Sequence, residues 1–202
     1  MFAGQYSELI NAYPIMNIEQ ILDKIHPINS SSKLKLKDCF EEIHLPKNQI
    51  VIHSDKIERN IFFIKKGIAR TFSNTDDNEV TIAFGEEGDS IISLKSYILH
   101  QRGYENIELL EDSQLYKTDA LKLQYLFSSD IDIANWGRKF AEQELIKAEQ
   151  RFISNQLGTA TERYLELLKK HTTLIQRVPL GLIASYLGIT QVSLSRIRAN
   201  IL

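Results

Sequence analysis

The chain has 202 residues, 43% of them apolar, with a formal net charge of −2. That length suffices for one large or two small domains, each able to bury a core, while no run approaches the roughly 20 apolar residues that a membrane-spanning helix requires. The single cysteine, Cys39, excludes an intramolecular disulfide, argues against a cysteine-held iron–sulfur cluster and fits a reduced, cytoplasmic setting. The stretch up to Asn17 has neither a basic start nor a continuous apolar block, so no secretory signal is expected.

Charge is unevenly spread. From Leu157 to Leu202 there are six Lys/Arg (Arg163, Lys169, Lys170, Arg177, Arg196, Arg198) against Glu162 and Glu166, a charge of +4. The other 156 residues hold 18 basic against 24 acidic groups, or −6. An acidic body with a basic tail is the distribution of a sensor joined to a nucleic-acid-binding module.

In chain order, Asn17 to His26 and Ser32 to Glu42 carry apolar residues at helical spacing: Ile18, Ile21, Leu22 and Ile25, then Leu34, Leu36, Phe40 and Ile43. Ser30 to Ser32 supply the cap between them. Cys39, on the second helix, reads as a core-edge residue, because no histidine is placed near it in sequence to activate the thiol.

Between His44 and about Thr118 the period changes. Gln49 to His53, Asn60 to Lys65, Ile68 to Ser73, Val80 to Phe84, Glu105 to Leu110 and Gln114 to Lys117 are short and rich in β-branched or aromatic residues. They are separated by turn signals at Lys47-Asn48, Lys66-Gly67, Asn74 to Asn78 and Glu87-Gly88-Asp89. Short strands at this spacing predict a β-sandwich or double-stranded roll.

Ser128-Ser129-Asp130 is a capping run before a long helix reaching about Asn155. On it Ala141, Leu145, Ala148 and Phe152 recur at four, three and four residues, and Ile133, Trp136 and Phe140 form a second apolar set. Either part of this surface packs on the roll and the rest forms a coiled-coil seam with a second copy, or the whole helix is an element of the chain's own core. Gly158 is the expected hinge, and Thr159 or Thr161 caps a helix over Ala160 to Lys170 with Tyr164, Leu167 and Leu168 inward. His171 to Thr173 then connect to Leu174 and onward. The organisation expected is 1–129, 130–156 and 157–202.

The last 25 residues have the spacing of a helix-turn-helix. Pro179 suits a first helical turn, and Leu182, Ile183, Tyr186 and Leu187 recur at three to four residues. Gly188 stands where the chain leaves the helix with φ > 0, Ile189 plugs the gap, and Thr190 is a plausible N-cap. Leu194, Ile197 and Ile201 form an apolar stripe, with Val192, Ser195, Arg196 and Ala199 on another face, and small Ala184 lets the helices cross closely. The plain alternative is an amphipathic helical hairpin with no DNA role.

Ile183-Ala184-x-x-Leu187-Gly188-Ile189-Thr190-x-x-Ser193-Leu194-Ser195-Arg196-Ile197-Arg198 resembles the helix-turn-helix of the Crp/Fnr family of bacterial transcription regulators. Phe62-Phe63-Ile64-x-x-Gly67-x-Ala69-Arg70 resembles the hairpin of that family's effector domain, and Gly85 to Ser90 its glycine-aspartate turn, so the resemblance spans most of the chain. It implies an α+β protein with an N-terminal double-stranded β-roll (jelly-roll) sensor, a long dimerisation helix bearing Trp136, Phe140, Leu145, Ala148 and Phe152, and a C-terminal helix-turn-helix. It implies a homodimer on double-stranded DNA, with RNA polymerase as a further candidate partner and no enzymatic role. Gln191, Val192 and Arg196 would face base edges, while Thr190, Ser193 and Arg198 would hold phosphates. Many family members carry Glu where Val192 stands, so a different operator is implied. The sequence ends at Leu202 without an evident β-wing, and a modest salt dependence is expected.

The resemblance places an effector pocket at Gly88, Asp89, Ser93, Arg102 and Tyr104. Members that bind cyclic AMP carry a Gly-Glu pair and a later Arg-Ser/Thr-Ala, whereas this chain has Ile92-Ser93 and Arg102-Gly103-Tyr104-Glu105-Asn106. Losing the phosphate partner removes a charge-assisted contact of roughly 1.5 to 3 kcal/mol, which argues against ordinary cyclic AMP binding and leaves another small effector, or none. The five histidines, His26, His44, His53, His100 and His171, show no metal-ligand pairing, and no phosphate-binding loop or nucleophile elbow is present. Two rivals remain: a cyclic-nucleotide-binding-like module that regulates a partner protein, and a β-roll enzyme of the cupin type, for which the metal cluster is lacking.

Overall fold

Asn17 and Asn29 start the fold. Each is extended and accepts a backbone N–H of the turn that follows, opening α1 (Ile18–Ile25) and α2 (Ser30–Lys37), and Gln20 completes a capping box at the first. The computed structural model describes residues 15–76 and 78–201. The reading of the N-terminal stretch as free of a secretory signal therefore rests mostly on residues outside the described ones, as does Asp77 of the turn expected at 74–78.

Among the described residues eight strands follow: β1 (Glu41–Leu45), β2 (Ile50–Ile52), β3 (Asn60–Lys66), β4 (Ala69–Asn74), β5 (Glu79–Gly85), β6 (Ser90–Ile91), β7 (Asn106–Leu109) and β8 (Ser113–Asp119), with the short helix α3 (Leu94–Leu99) between β6 and β7. They pair antiparallel in two four-stranded sheets, ordered β1-β8-β3-β6 and β2-β7-β4-β5. This is the roll that the spacing of the strands predicts. Its interior is Ile52, Phe62, Ile64, Ala69, Ile91, Ile107, Leu109 and Leu115, all buried.

The continuous apolar run of β3 has a simple cause. Phe62 and Ile64 point between the sheets, while Ile61 and Phe63 point outward into a second core beneath α1, α2, α4 (Ala120–Ser129) and α5 (Ile131–Leu157). A strand covered on both faces needs no alternation. Trp136 of α5 fills that outer core completely, its indole N–H donating to Leu22 O at 3.0 Å and its ring stacked with Phe140. Gly137 lets α4 come close, since a Cβ there would stand 2.5 Å from the Phe127 ring.

Three local expectations are corrected. The second N-terminal helix ends at Lys37, not Glu42, because residues 41–45 pair with β8, Ile43 opposite Leu115; the helical spacing of Phe40 and Ile43 was a coincidence that cross-strand pairing overrides. Cys39 consequently lies beyond α2, half-buried, with its thiol on Leu36 O and burial raising its pKa. Ser128 and Ser129 do not cap the long helix but end α4, itself capped by Asp119. Asp130 then caps α5.

After the C-cap Gly158 come α6 (Ala160–Lys170), α7 (Thr172–Arg177), α8 (Leu180–Tyr186) and α9 (Gln191–Ile201). Thr159, not Thr161, caps α6, in a capping box with Glu162. Residues 172–177, read as a connector, form a helical turn and a half. Among the described residues no helix is long and apolar enough to cross a membrane.

Candidate nucleic-acid interface

Gly188 sets the geometry of the C-terminal pair. Its φ of +66 turns the chain out of α8, and Ile189 N–H returns to Ala184 O at 3.0 Å. Thr190 Oγ1 then accepts Ser193 N–H at 3.1 Å and caps α9. Ile183, Ala184, Leu187 and Leu194 are buried together with Tyr164, Leu167, Leu174 and Val178, and Ile189 and Ile197 pack at the rim. Pro179 stands one residue earlier than the first helical turn, at the N-cap of α8, and Ile201 is exposed and leaves the expected stripe.

On the outer side of α9, Gln191, Val192, Ser195, Arg196 and Ala199 are exposed, with Val192 62% accessible. Thr190 is exposed too, while Ser193 and Arg198 are half-buried. The Thr190 and Ser193 hydroxyls lie 2.9 Å apart and bond to one another, so a phosphate oxygen would have to share them. Arg163 supports this end from behind: its guanidinium donates to Gly158 O at 2.9 Å and to Leu187 O at 2.6 Å, linking the end of α5 to the turn of the pair.

The connector helix divides in two. Ile133, Trp136 and Phe140 belong to the outer core of the roll, so of the residues placed on the dimerisation helix Trp136 and Phe140 face the roll and do not offer a seam. Farther along, Leu145 is 70% and Phe152 62% exposed, with Ile146, Ile153 and Leu157 also exposed and Ala148 between them. The second half thus carries an apolar face that none of the described residues covers.

A cavity of about 440 Å³ lies where the roll, α5 and the C-terminal helices meet. Asp89 and Tyr104 line it, as the resemblance implied, but Gly88, Ser93 and Arg102 do not. Arg102 is exposed, Gly88 faces Met16 with φ +89, and Ser93 is buried with a hydroxyl that has no partner among the described residues. Lys147, Arg151, Arg163 and His171 line the other walls. No local motif announces them, because they come from helices far along the chain from the roll. Lys147 reaches Asp89 and Glu144, each at 3.0 Å; burial lowers its pKa, but the two carboxylates outweigh that and leave it raised. Among the described residues no group of three His, Cys, Asp or Glu is placed to hold a metal.

The model of the cyclic nucleotide-binding domain family matches residues 42–130. No curated protein matches the chain by sequence. Among solved structures, FixK2 from Bradyrhizobium japonicum is similar with a TM-score of 0.68 and 19% identity over 80% of this chain and 84% of its own. A CooA variant from Carboxydothermus hydrogenoformans gives 0.65 and 19% over 92% and 84%. A protein from Eubacterium rectale described as a transcriptional regulator of the crp/fnr family gives 0.66 and 16% over 86% and 83%. At such identities the likeness is one of fold. Residues 42–130 thus match the cyclic nucleotide-binding domain family, and the chain shares the overall fold of these solved structures.

Proposed function

We propose that the protein is a homodimeric, sequence-specific DNA-binding transcription regulator of the Crp/Fnr type, working in the cytoplasm and reading its operator with α9. The observation that carries this reading is the outward face of α9, on which Gln191, Val192 and Arg196 stand exposed over a turn fixed by Gly188. An α-helix fits the major groove, where Arg196 can pair bidentately with guanine, Gln191 with adenine, and Val192 can touch a thymine methyl. Thr190, Ser193 and Arg198 would set the register on phosphates. The bare face of α5 from Leu145 to Phe152 supports a second copy as its cover, since an exposed apolar stripe of this kind is a seam in need of a partner helix.

The sensor end supports an effector other than cyclic AMP, since Ile92-Ser93 and Arg102 do not rebuild the phosphate and ribose contacts. A thermal-shift series with cyclic AMP is expected to show no stabilisation, and a clear rise would count against this part of the reading. The DNA reading is tested by mapping binding sites across the genome and measuring affinity for the site found. Arg196→Ala should weaken specific binding by about 1 to 3 kcal/mol. An unchanged affinity overturns the assignment.

A further inference from the structure

The helix-turn-helix unit is joined to the rest of the chain on two sides. On the roll side His171 meets Glu86 at 2.7 Å, and Arg177 pairs with Glu87 at 2.8 Å and with Glu111. Burial pushes the Glu87 carboxyl up, yet the bonds from Arg177 and Gly67 outweigh it and hold the group below its ordinary value. On the connector side only Gly158 and Thr159 separate α5 from α6.

Gly158 does not owe its place to conformational freedom. Its φ is −84° and its ψ 141°, an extended conformation open to any residue. Space is the constraint. A Cβ here would stand 2.8 Å from Ser154 O and 3.3 Å from Cγ of Arg163, so the missing side chain leaves a seat for the Arg163 stem. From that seat the guanidinium donates to Gly158 O at 2.9 Å and to Leu187 O at 2.6 Å. Gly158 is the C-cap of α5 and Leu187 the C-cap of α8. Carbonyls at a helix end lack a partner within their own helix and carry the negative end of its dipole. One planar cation with a fixed fork of donors therefore ties two helix ends together. A second tie runs beside it, from the Ser154 hydroxyl to Glu166 at 3.2 Å.

We propose that Arg163, seated on Gly158, is a positioning residue that locks the helix-turn-helix unit at a fixed angle to α5, and that this lock, in place of a flexible hinge, sets the separation of operator half-sites that a dimer accepts. The proposal rests on the reading of the protein as a dimeric DNA-binding regulator and deepens it. Two copies of α9 meet successive major grooves at one separation and one rotation about the duplex. A joint free to swing accepts many such arrangements, and a locked one accepts few. Arg163 reads no base in this scheme, since it is half-buried behind the turn while Gln191 and Arg196 stand on the exposed face of α9.

The test measures binding of the full chain to its mapped operator and to the same operator with one base pair added between the half-sites. The wild type should lose about thirtyfold or more on the altered spacing, whereas Arg163→Gln should lose about threefold or less and keep its preference for the operator's bases. Arg163→Lys keeps the charge without the fork and should relax the spacing in the same way; full discrimination in that variant overturns the two-carbonyl lock. Gly158→Ala gives opposite signs for lock and hinge. A hinge stiffened by alanine discriminates more sharply, while a seat filled by a methyl group displaces Arg163 and discriminates less. Sharper or unchanged discrimination overturns the proposal, and if Gly158→Ala fails to fold the two Arg163 variants decide.

Hydrogen exchange separates failure of the lock from failure of the DNA reading. The amides of Gly188 and Ile189 are bonded to Ser185 O and Ala184 O, in the turn that Arg163 holds. Gly158→Ala should speed their exchange about three- to tenfold and add nothing in a chain that already carries Arg163→Gln, because the effect passes through that side chain. If no operator is found the regulator reading falls, and this exchange result alone decides whether the joint is locked; an unchanged rate overturns it.

Discussion

Helices are held against the roll in two different ways. The first half of α5 is held by a dry aromatic cluster, with Trp136 fully buried beside Phe63 and Phe140. The helix-turn-helix unit is held by a smaller apolar patch, Ile68, Phe84 and Leu110, overlaid with the ion pairs of Glu86, Glu87 and Glu111. Apolar burial has no direction and no dependence on pH, so it suits a permanent joint. Charged pairs have fixed geometry and can be exchanged, so they suit a joint that must change state.

The comparison breaks most sharply at Trp136. Trp136→Ala should cost about 3 to 5 kcal/mol of global stability in a denaturant titration, and a loss below about 1 kcal/mol would show that the aromatic joint is not the permanent one. The other half of the same helix sharpens the point. Phe152→Ala should leave folding within about 0.5 kcal/mol but weaken self-association by about 2 kcal/mol in sedimentation equilibrium; an unchanged oligomeric state would remove Phe152 from the seam.

The smallest effect is a pH dependence confined to the polar joint. The hydrogen bond that His171 donates to Glu86, against the opposing effect of burial, raises the His171 pKa above its ordinary value. Its contribution is therefore fully present below about pH 6.5 and is lost as pH rises through the higher folded-state pKa. Glu87, held low, adds stability that is present above its unfolded pKa and lost as pH falls through its folded one. Protection of α7 amides, taken relative to the intrinsic exchange rate at each pH, should thus fall from pH 6 to about pH 8, and His171→Gln should abolish that alkaline limb. A limb that persists in the variant would have another source.

The strands of the roll were legible because each is a β-branched or aromatic run closed by Gly, Asn or Asp, and the helix-turn-helix was legible because its spacing is local. β1 and α4 were not. Glu41–Leu45 has no turn signal before it and continues a helical spacing by chance, and the cap of Ala120–Ser129, Asp119, is itself the last residue of β8, so no turn separates strand from helix. The candidate site divides the same way. The exposure of Gln191, Val192 and Arg196 on one helix could be read from sequence, whereas the cations of the cavity and the Glu87–Arg177 pair could not, since Glu87 and Arg177 are 90 residues apart and no pattern joins them. Which of the apolar sets of α5 faces the roll stayed open, because periodicity shows that a face is apolar without showing what covers it.

One detail of the seating bears on the life of the protein in solution. β5 is the outer strand of its sheet, and Ser185 occupies its free positions, accepting Thr81 N–H and donating to Glu79 O at 3.4 Å. Without the C-terminal helices that border would be left with open backbone groups and the half-exposed Val80 beside them. Such a border pairs readily with another of its kind and leads to edge-to-edge aggregation. The C-terminal helices are thus also a guard for the roll, and a chain that holds them loosely trades solubility for responsiveness.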